Sequence, residues 1–178
     1  MTSKTLLNRR SFLKNSSTLL GGCLMGSHTL LGKKLSTSKI PLGFDNFSIR
    51  ALGWKAPKLI DYATKHKVDA LLFSDLDVYE SHDNGYLREI GQEVKKQKII
   101  LHAGTGGICP TSKSFKDKHG SAEEHLRLLI RVAKDVGSSV ARCYLGSSKD
   151  RKTAGGIRRH IETTIKTLQK VRTQALDA

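Results

Sequence analysis

From residue 41 onward the chain alternates between two hydrophobic periods. Short, nearly continuous apolar runs are each followed by a longer segment in which apolar residues recur every three or four positions. Leu42–Ile49 reads as a first strand ending in the polar Asp45-Asn46 region. Pro57, suited to a first helical turn, then opens a helix to about Lys67 with Leu59, Ile60 and Ala63 on one face. The run Val68–Ser74 has the continuous apolar character of a strand covered on both faces. Asp83-Asn84 can cap a second helix with Leu87, Ile90 and Val94 as its buried stripe. Lys98–Ala103 reads as a third strand, followed by a glycine-rich loop, Gly104-Thr105-Gly106-Gly107. Ser121-Ala122-Glu123-Glu124 has the spacing of a capping box. It predicts a third helix packed through Leu126, Leu129, Ile130 and Ala133 and ended by Gly137. Ser139–Leu145 is the fourth strand, and a last helix from about Gly156 carries Ile157, Ile161, Ile165, Leu168, Val171 and Ala175 at near-helical spacing.

Four strand–helix units in succession predict an α/β fold with a parallel sheet and helices packed outside it. Two architectures fit: an open doubly wound sheet, or part of a (β/α)₈ barrel. The glycine-rich stretch follows the third strand rather than the first and lacks the G-x-G-x-x-G order, which argues against a dinucleotide site.

In either architecture, chemistry gathers where the strands end. Those ends offer Asp45 and Asn46, then Asp75, Asp77, Glu80 and His82, then His102, and finally Arg142 and Tyr144. Carboxylates, an imidazole and a guanidinium on one rim suit a polyhydroxylated substrate or acid–base work. Plainer roles stand beside these: Asp45 and Asp75 suit turns and caps, and Asp77, Glu80 and His82 suit a solvated loop. His102 is either a buried, satisfied imidazole or a pocket residue. Arg142, inside a strand, needs an anion or another partner. Gly104 and Gly106 permit close backbone approach and positive φ, the makings of an anion nest. Cys109 and Cys143 have no evident activating partner in the sequence, and no Ser-His-Asp set, H-E-x-x-H or EF-hand loop is present.

Composition adjusts this picture at the front of the chain. The 178 residues include 31 Lys and Arg against 16 Asp and Glu, a formal charge of +15. Seven of the basic residues and none of the acidic ones fall in residues 1–40, so the body is only moderately basic. Its Lys and Arg spread over helix faces without interleaved aromatics, which argues against a nucleic-acid partner. Three cysteines without C-x-x-C spacing make neither a disulfide framework nor a structural zinc site.

Within the basic front, Arg9-Arg10-Ser11-Phe12-Leu13-Lys14 precedes a weakly apolar, Gly/Ser/Thr-rich stretch. The segment resembles a twin-arginine export signal and predicts an exported, periplasmic protein. It is too short and too polar for a stable membrane span. Leu20-Gly21-Gly22-Cys23 is similar to a lipoprotein cleavage box, which would put a lipid anchor on Cys23. The chain thus divides into a signal and linker over 1–40 and a folded body over 41–178.

Within the body, Leu42-Gly43-Phe44-Asp45-Asn46-Phe47-Ser48, Leu71-Leu72-Phe73-Ser74-Asp75-Leu76, His102-Ala103-Gly104-Thr105-Gly106-Gly107 and Ala141-Arg142-Cys143 stand in that order. Together they resemble the N-terminal half of exported bacterial members of the xylose-isomerase-like TIM-barrel superfamily. The resemblance implies parallel (β/α) units of a TIM barrel, about four of the eight that the fold needs. It also implies a sugar or sugar-phosphate isomerase or epimerase that moves a proton with the help of a divalent metal such as Mn, Mg, Co or Zn. By that reading Asp75 and His102 are second-tier acid–base or hydrogen-bonding groups, and Asp45, Arg142, Gly104 and Gly106 line the substrate side. The family's ligands come mainly from later strands, so no metal ligand is assigned here and the chain alone is expected to show little turnover. Two other readings stand: a non-catalytic half-barrel that binds a sugar or docks a partner, and a relative of the endonuclease-like barrels. Open edges at the first and fourth strands call for a second copy or a second half-barrel.

Overall fold

The computed structural model describes residues 40–178. The expected export signal and Cys23 anchor lie outside the described residues.

Four short strands form one sheet: β1 (Gly43–Asp45), β2 (Ala70–Phe73), β3 (Ile100–Gly107) and β4 (Ala141–Tyr144). Helices α1 (Ala56–Lys65), α2 (Asn84–Lys96), α3 (Ala122–Asp135) and α4 (Gly156–Leu176) follow them in turn. The strands pair in chain order, β1-β2-β3-β4, and every pairing is parallel. The fold is therefore α/β, with a four-stranded parallel sheet and alternating helices. Its sequential order contains no reversal among the described strands, unlike a doubly wound sheet.

Register explains where the core sits. Phe44 lies beside Leu71 and Leu71 beside Leu101, while Phe73 lies beside Ala103 and Ala103 beside Ala141. This row alternates with Asp45, Leu72 and His102, which lie side by side on the other pleat. Leu71, Phe73, Leu101 and Ala103 share one buried cluster with Leu59 and Ile60 of α1, Leu87 and Ile90 of α2, and Leu126 and Leu129 of α3. All the helices thus pack on one face, as uniformly handed crossovers in sequential order require. On the opposite face Ile100 and Tyr144 are each 44% exposed.

Three of the helices hand the chain back to the sheet through the same turn. Lys67, Lys98 and Gly137 all take left-handed backbone conformations, with φ of 53°, 57° and 74°. The next amide in each case donates back across the helix end: Val68 to Ala63 O, Ile99 to Val94 O and Ser138 to Ala133 O. This is the Schellman pattern, which satisfies carbonyls that a helix end leaves without partners. The repetition expected between units is structural, and it extends to their turns.

Several boundaries differ from expectation for identifiable reasons. The first strand is three residues long, because the Asp45 carboxylate accepts from Phe47 N–H and the Ser48 hydroxyl donates to Asp45 O. Those bonds fold Asn46–Leu52 into a 3-10 helix instead of extending the strand. Asp83 stands at the N-cap of α2 without bonding to its amides, and its carboxylate accepts from the Ser81 hydroxyl instead. The capping box at Ser121 and Glu124 forms as expected.

The glycine-rich stretch is strand rather than loop, and none of Gly104, Gly106 and Gly107 has positive φ. The expected anion nest is therefore overturned. Small size is what matters at these positions: a Cβ on Gly104 would stand 2.6 Å from Phe73 O, and one on Gly107 would stand 3.1 Å from the Tyr144 ring. The last helix also packs differently. It buries His160, Thr164, Thr167 and Val171, while Ile157, Ile161, Ile165 and Leu168 remain 39–47% exposed beside the outer edge of β4.

Candidate functional site

A cavity of about 430 Å³ and another of about 300 Å³ open near the C-terminal ends of the strands. A larger groove of about 520 Å³ lies around Arg88, Lys95, Ile100 and Asp135, where β3 begins. Strand starts in such folds stabilise, whereas strand ends carry chemistry, so the smaller cavities are the relevant ones.

The 300 Å³ cavity is built from β2 and β3 outward. Asp75, just past β2, caps the 3-10 helix Leu76–Val78 by accepting from Asp77 N–H at 3.0 Å. That turn presents Asp75 and Asp77 to the cavity. Opposite β4, β3 carries a bulge between Gly104 and Gly107. The extra residue re-aims the strand end, a common device beside functional sites. Thr105 faces the cavity there, and its hydroxyl meets His125 Nε2 at 2.5 Å. His119 packs against His125 with ring centroids 5.0 Å apart, and His82 follows His119 at 5.6 Å. Lys116, Lys118 and Ser114 complete the wall beside Tyr144.

Electrostatics gives these groups distinct states. Burial pushes the Asp77 carboxyl up, but Lys118, bonded to it at 2.6 Å, with His119 and Lys55 outweighs burial and holds it below the usual range. Burial lowers the affinity of His119 for a proton, and neighbouring His82 and Lys118 lower it further against the pull of Asp77. His125 is lowered by burial and then by His119. Both imidazoles are therefore neutral near pH 7 and able to accept a proton. His125 Nδ1 is buried without a partner.

Of the residues expected from sequence, Asp75, Asp77, Gly106 and Tyr144 come together here. Asp45, His102, Arg142 and Gly104 do not line this cavity. Asp45 caps its 3-10 helix. Its neighbour Asn46 is buried and accepts from both the amide and the hydroxyl of Ser74, tying β1 to β2. His102 lies on the sheet face away from the helices, level with Leu72, and its Nδ1 is buried without a partner. The Arg142 guanidinium stands 5.6 Å from the Tyr144 ring centre, an arene partner rather than an anion. Gly104 allows close approach to Phe73 O. Glu80 is exposed, and His82 Nε2 meets Leu76 O at 3.1 Å.

Sequence reasoning passed over His119 and His125. His119 sits in a polar loop, and His125 falls on the helix face read as apolar packing, between Ala122 and Leu129. The expectation that Cys109 lacks an activating partner is also overturned: its sulfur lies 3.7 Å from Nδ1 of His160, fifty-one residues away. Cys143 keeps its inert character, its thiol pushed up by burial.

The implied divalent metal can be tested against these donors. Among the described residues no group of three or more His, Cys, Asp or Glu is placed to hold a metal ion. Around the cavity the reasons are visible: the Lys118 ammonium already occupies Asp77, and Thr105 engages His125 Nε2. These residues do not fit the metal by themselves. No helix among the described residues is long and apolar enough to cross a membrane. Compared with known protein families, with curated proteins and with solved structures, the chain matches none.

Proposed function

We propose that this chain forms the first four (β/α) units of a xylose-isomerase-like barrel and belongs to the sugar or sugar-phosphate isomerases and epimerases. The sequential parallel sheet with helices on one face supports the barrel reading, because continued addition of such units curls a sheet toward closure at eight strands. The observation that carries the functional reading is the strand-end cavity, where Asp75 and two neutral imidazoles face Lys116 and Lys118. A carboxylate and a neutral imidazole can pass a proton between adjacent carbons, and two ammonium groups suit a phosphate or an enediolate. His119 is the base of this proposal in addition to Asp75, and His125, its Nε2 engaged by Thr105, packs against it. His102 and Arg142, on the uncovered sheet face, would lie toward the barrel interior with Asp45 and Gly104.

A second reading is favoured by the poor fit of the donor set to a metal: a module that binds the sugar without turning it over. One set of measurements separates the two. Titrate the purified full chain with sugars and sugar phosphates by calorimetry, then assay aldose–ketose interconversion with and without Mn²⁺. Tighter binding of phosphorylated sugars, weakened at least tenfold in Asp75→Asn and in His119→Gln, is expected under both readings. Metal-dependent turnover, by the chain alone or with later (β/α) units of such a barrel supplied, identifies the isomerase, and binding without turnover in both cases identifies the module. Absence of binding by any sugar or sugar phosphate refutes both.

A further inference from the structure

The 430 Å³ cavity lies at the end of β4, between the Ser147–Asp150 turn and the first turns of α4. One residue of its lining, Asp150, carries a buried oxygen, Oδ1, without a hydrogen-bond partner, while Thr164 of the same wall turns its hydroxyl to Cys109. Asp150 is 1% exposed and Thr164 2%. An unpaired buried carboxylate oxygen is costly, and beside a cavity it points to a small polar molecule as the occupant. The other oxygen of Asp150 is satisfied, accepting from the Ser112 hydroxyl and from Ser147 N–H, each at 2.7 Å. Those two bonds hold the Asp150 carboxyl below its usual range.

His160, in the same wall, joins this cavity to Cys109. The Thr153 hydroxyl donates to Asp150 O at 2.7 Å, so its oxygen must accept from His160 Nε2, also at 2.7 Å. That fixes the ring with its hydrogen on Nε2 and leaves Nδ1 as the acceptor. Thr111 Oγ1 stands 2.8 Å from Nδ1 and 3.3 Å from the Cys109 sulfur. A proton can therefore leave the thiol for the Thr111 oxygen while the Thr111 proton moves to His160. Burial opposes the thiolate, but Thr111, Thr164 and His160 overcome it and bring Cys109 down to about 7. The titratable groups facing the pair are His160 itself and Asp150, and Arg151 lines the same cavity.

We propose that Cys109 and His160 form a hydroperoxide-reactive thiol site entered from the Asp150 cavity. Cys109 is 0% exposed and does not itself line the cavity, so a reagent reaches it only as the wall opens, which favours a molecule little larger than water over a bulky disulfide. Hydrogen peroxide is such a molecule, and it can donate to Asp150 Oδ1. The Cys109 thiolate attacks one peroxide oxygen. An S–O bond forms as the O–O bond breaks, and sulfur is oxidised by two electrons. The departing oxygen takes the proton stored on His160, so thiol and peroxide become sulfenic acid and water. This site is separate from the sugar cavity, and its failure would leave that reading intact.

The test treats the intact full chain with hydrogen peroxide at a series of pH values. Oxidation is stopped by unfolding in dimedone, and peptide masses then locate the sulfenic acid. Cys109 should gain one oxygen with a rate half-maximal near pH 7, well before Cys143. His160→Gln should slow it about tenfold or more at neutral pH and move the midpoint toward an ordinary thiol value near 8.5. Thr153→Val should slow it in the same direction by loosening the tautomer. In the native chain an aromatic disulfide reagent should lag far behind peroxide relative to their rates on the unfolded chain. Cys109 oxidising no faster than Cys143, or a profile unmoved in a folded His160→Gln chain, overturns the proposal. So does equal access for the bulky reagent.

Discussion

The buried imidazoles of the strand-end cavity tie its chemistry to stability. His119 and His125 bind protons less readily in the fold than in the unfolded chain, chiefly through burial. A lowered histidine contributes stability that is complete above the unfolded value of about 6.5 and is lost as pH falls through the folded value. Urea midpoints should therefore drop as pH falls below about 6.5. His125→Gln should flatten that slope while lowering the plateau, since it removes the bond to Thr105. An unchanged slope in that variant would show that His125 does not carry the dependence. Asp77 acts in a lower window: its depressed carboxyl stabilises above the unfolded value, and that part is lost only in acid.

For the elements, the repeated helix-to-strand turn offers a comparison within one molecule. Lys67, Lys98 and Gly137 occupy equivalent left-handed positions, where a side chain costs about 1 kcal/mol that glycine avoids. Lys98→Gly should therefore raise the unfolding free energy by about 0.5–1 kcal/mol, and Gly137→Ala should lower it by about as much. Denaturant titrations of the two variants check both signs. In β3 the constraint is steric. The Gly104→Ala methyl group would press on Phe73 O across the sheet, so a loss of about 1–3 kcal/mol is expected although φ is ordinary.

At the scale of the molecule, one packed face and one uncovered face should respond differently to substitution. Leu129 is fully buried between sheet and helices, and Leu129→Ala should cost about 2–5 kcal/mol. Ile161 and Ile165, 45% and 47% exposed on α4, should each tolerate Lys with a change within about 0.5 kcal/mol. Thermal melts of the three variants test whether the core lies wholly on the helical side of the sheet. A large loss at Ile161 would mean that the α4 stripe is covered in solution.

Local pattern determined much of this protein. Apolar periodicity marked all four strand–helix units, and the Ser121–Glu124 box and Gly137 marked the ends of α3, because such signals lie within a few residues of one another. Asp75 was legible for the same reason, as a polar residue directly after an apolar run. Tertiary structure decided what depends on distant segments. It set the strand order and turned Gly104–Gly107 from a loop into a bulged strand, since a glycine's conformation follows from what lies across the sheet. It gathered His119 and His125 around Asp75, and it set His160 beside Cys109 across fifty-one residues. It also chose which stripe of α4 to bury, taking His160, Thr164 and Thr167 inward with Val171 and leaving four larger aliphatic residues half-exposed. Periodicity shows that a helix has faces, but the neighbours in space select the one that packs.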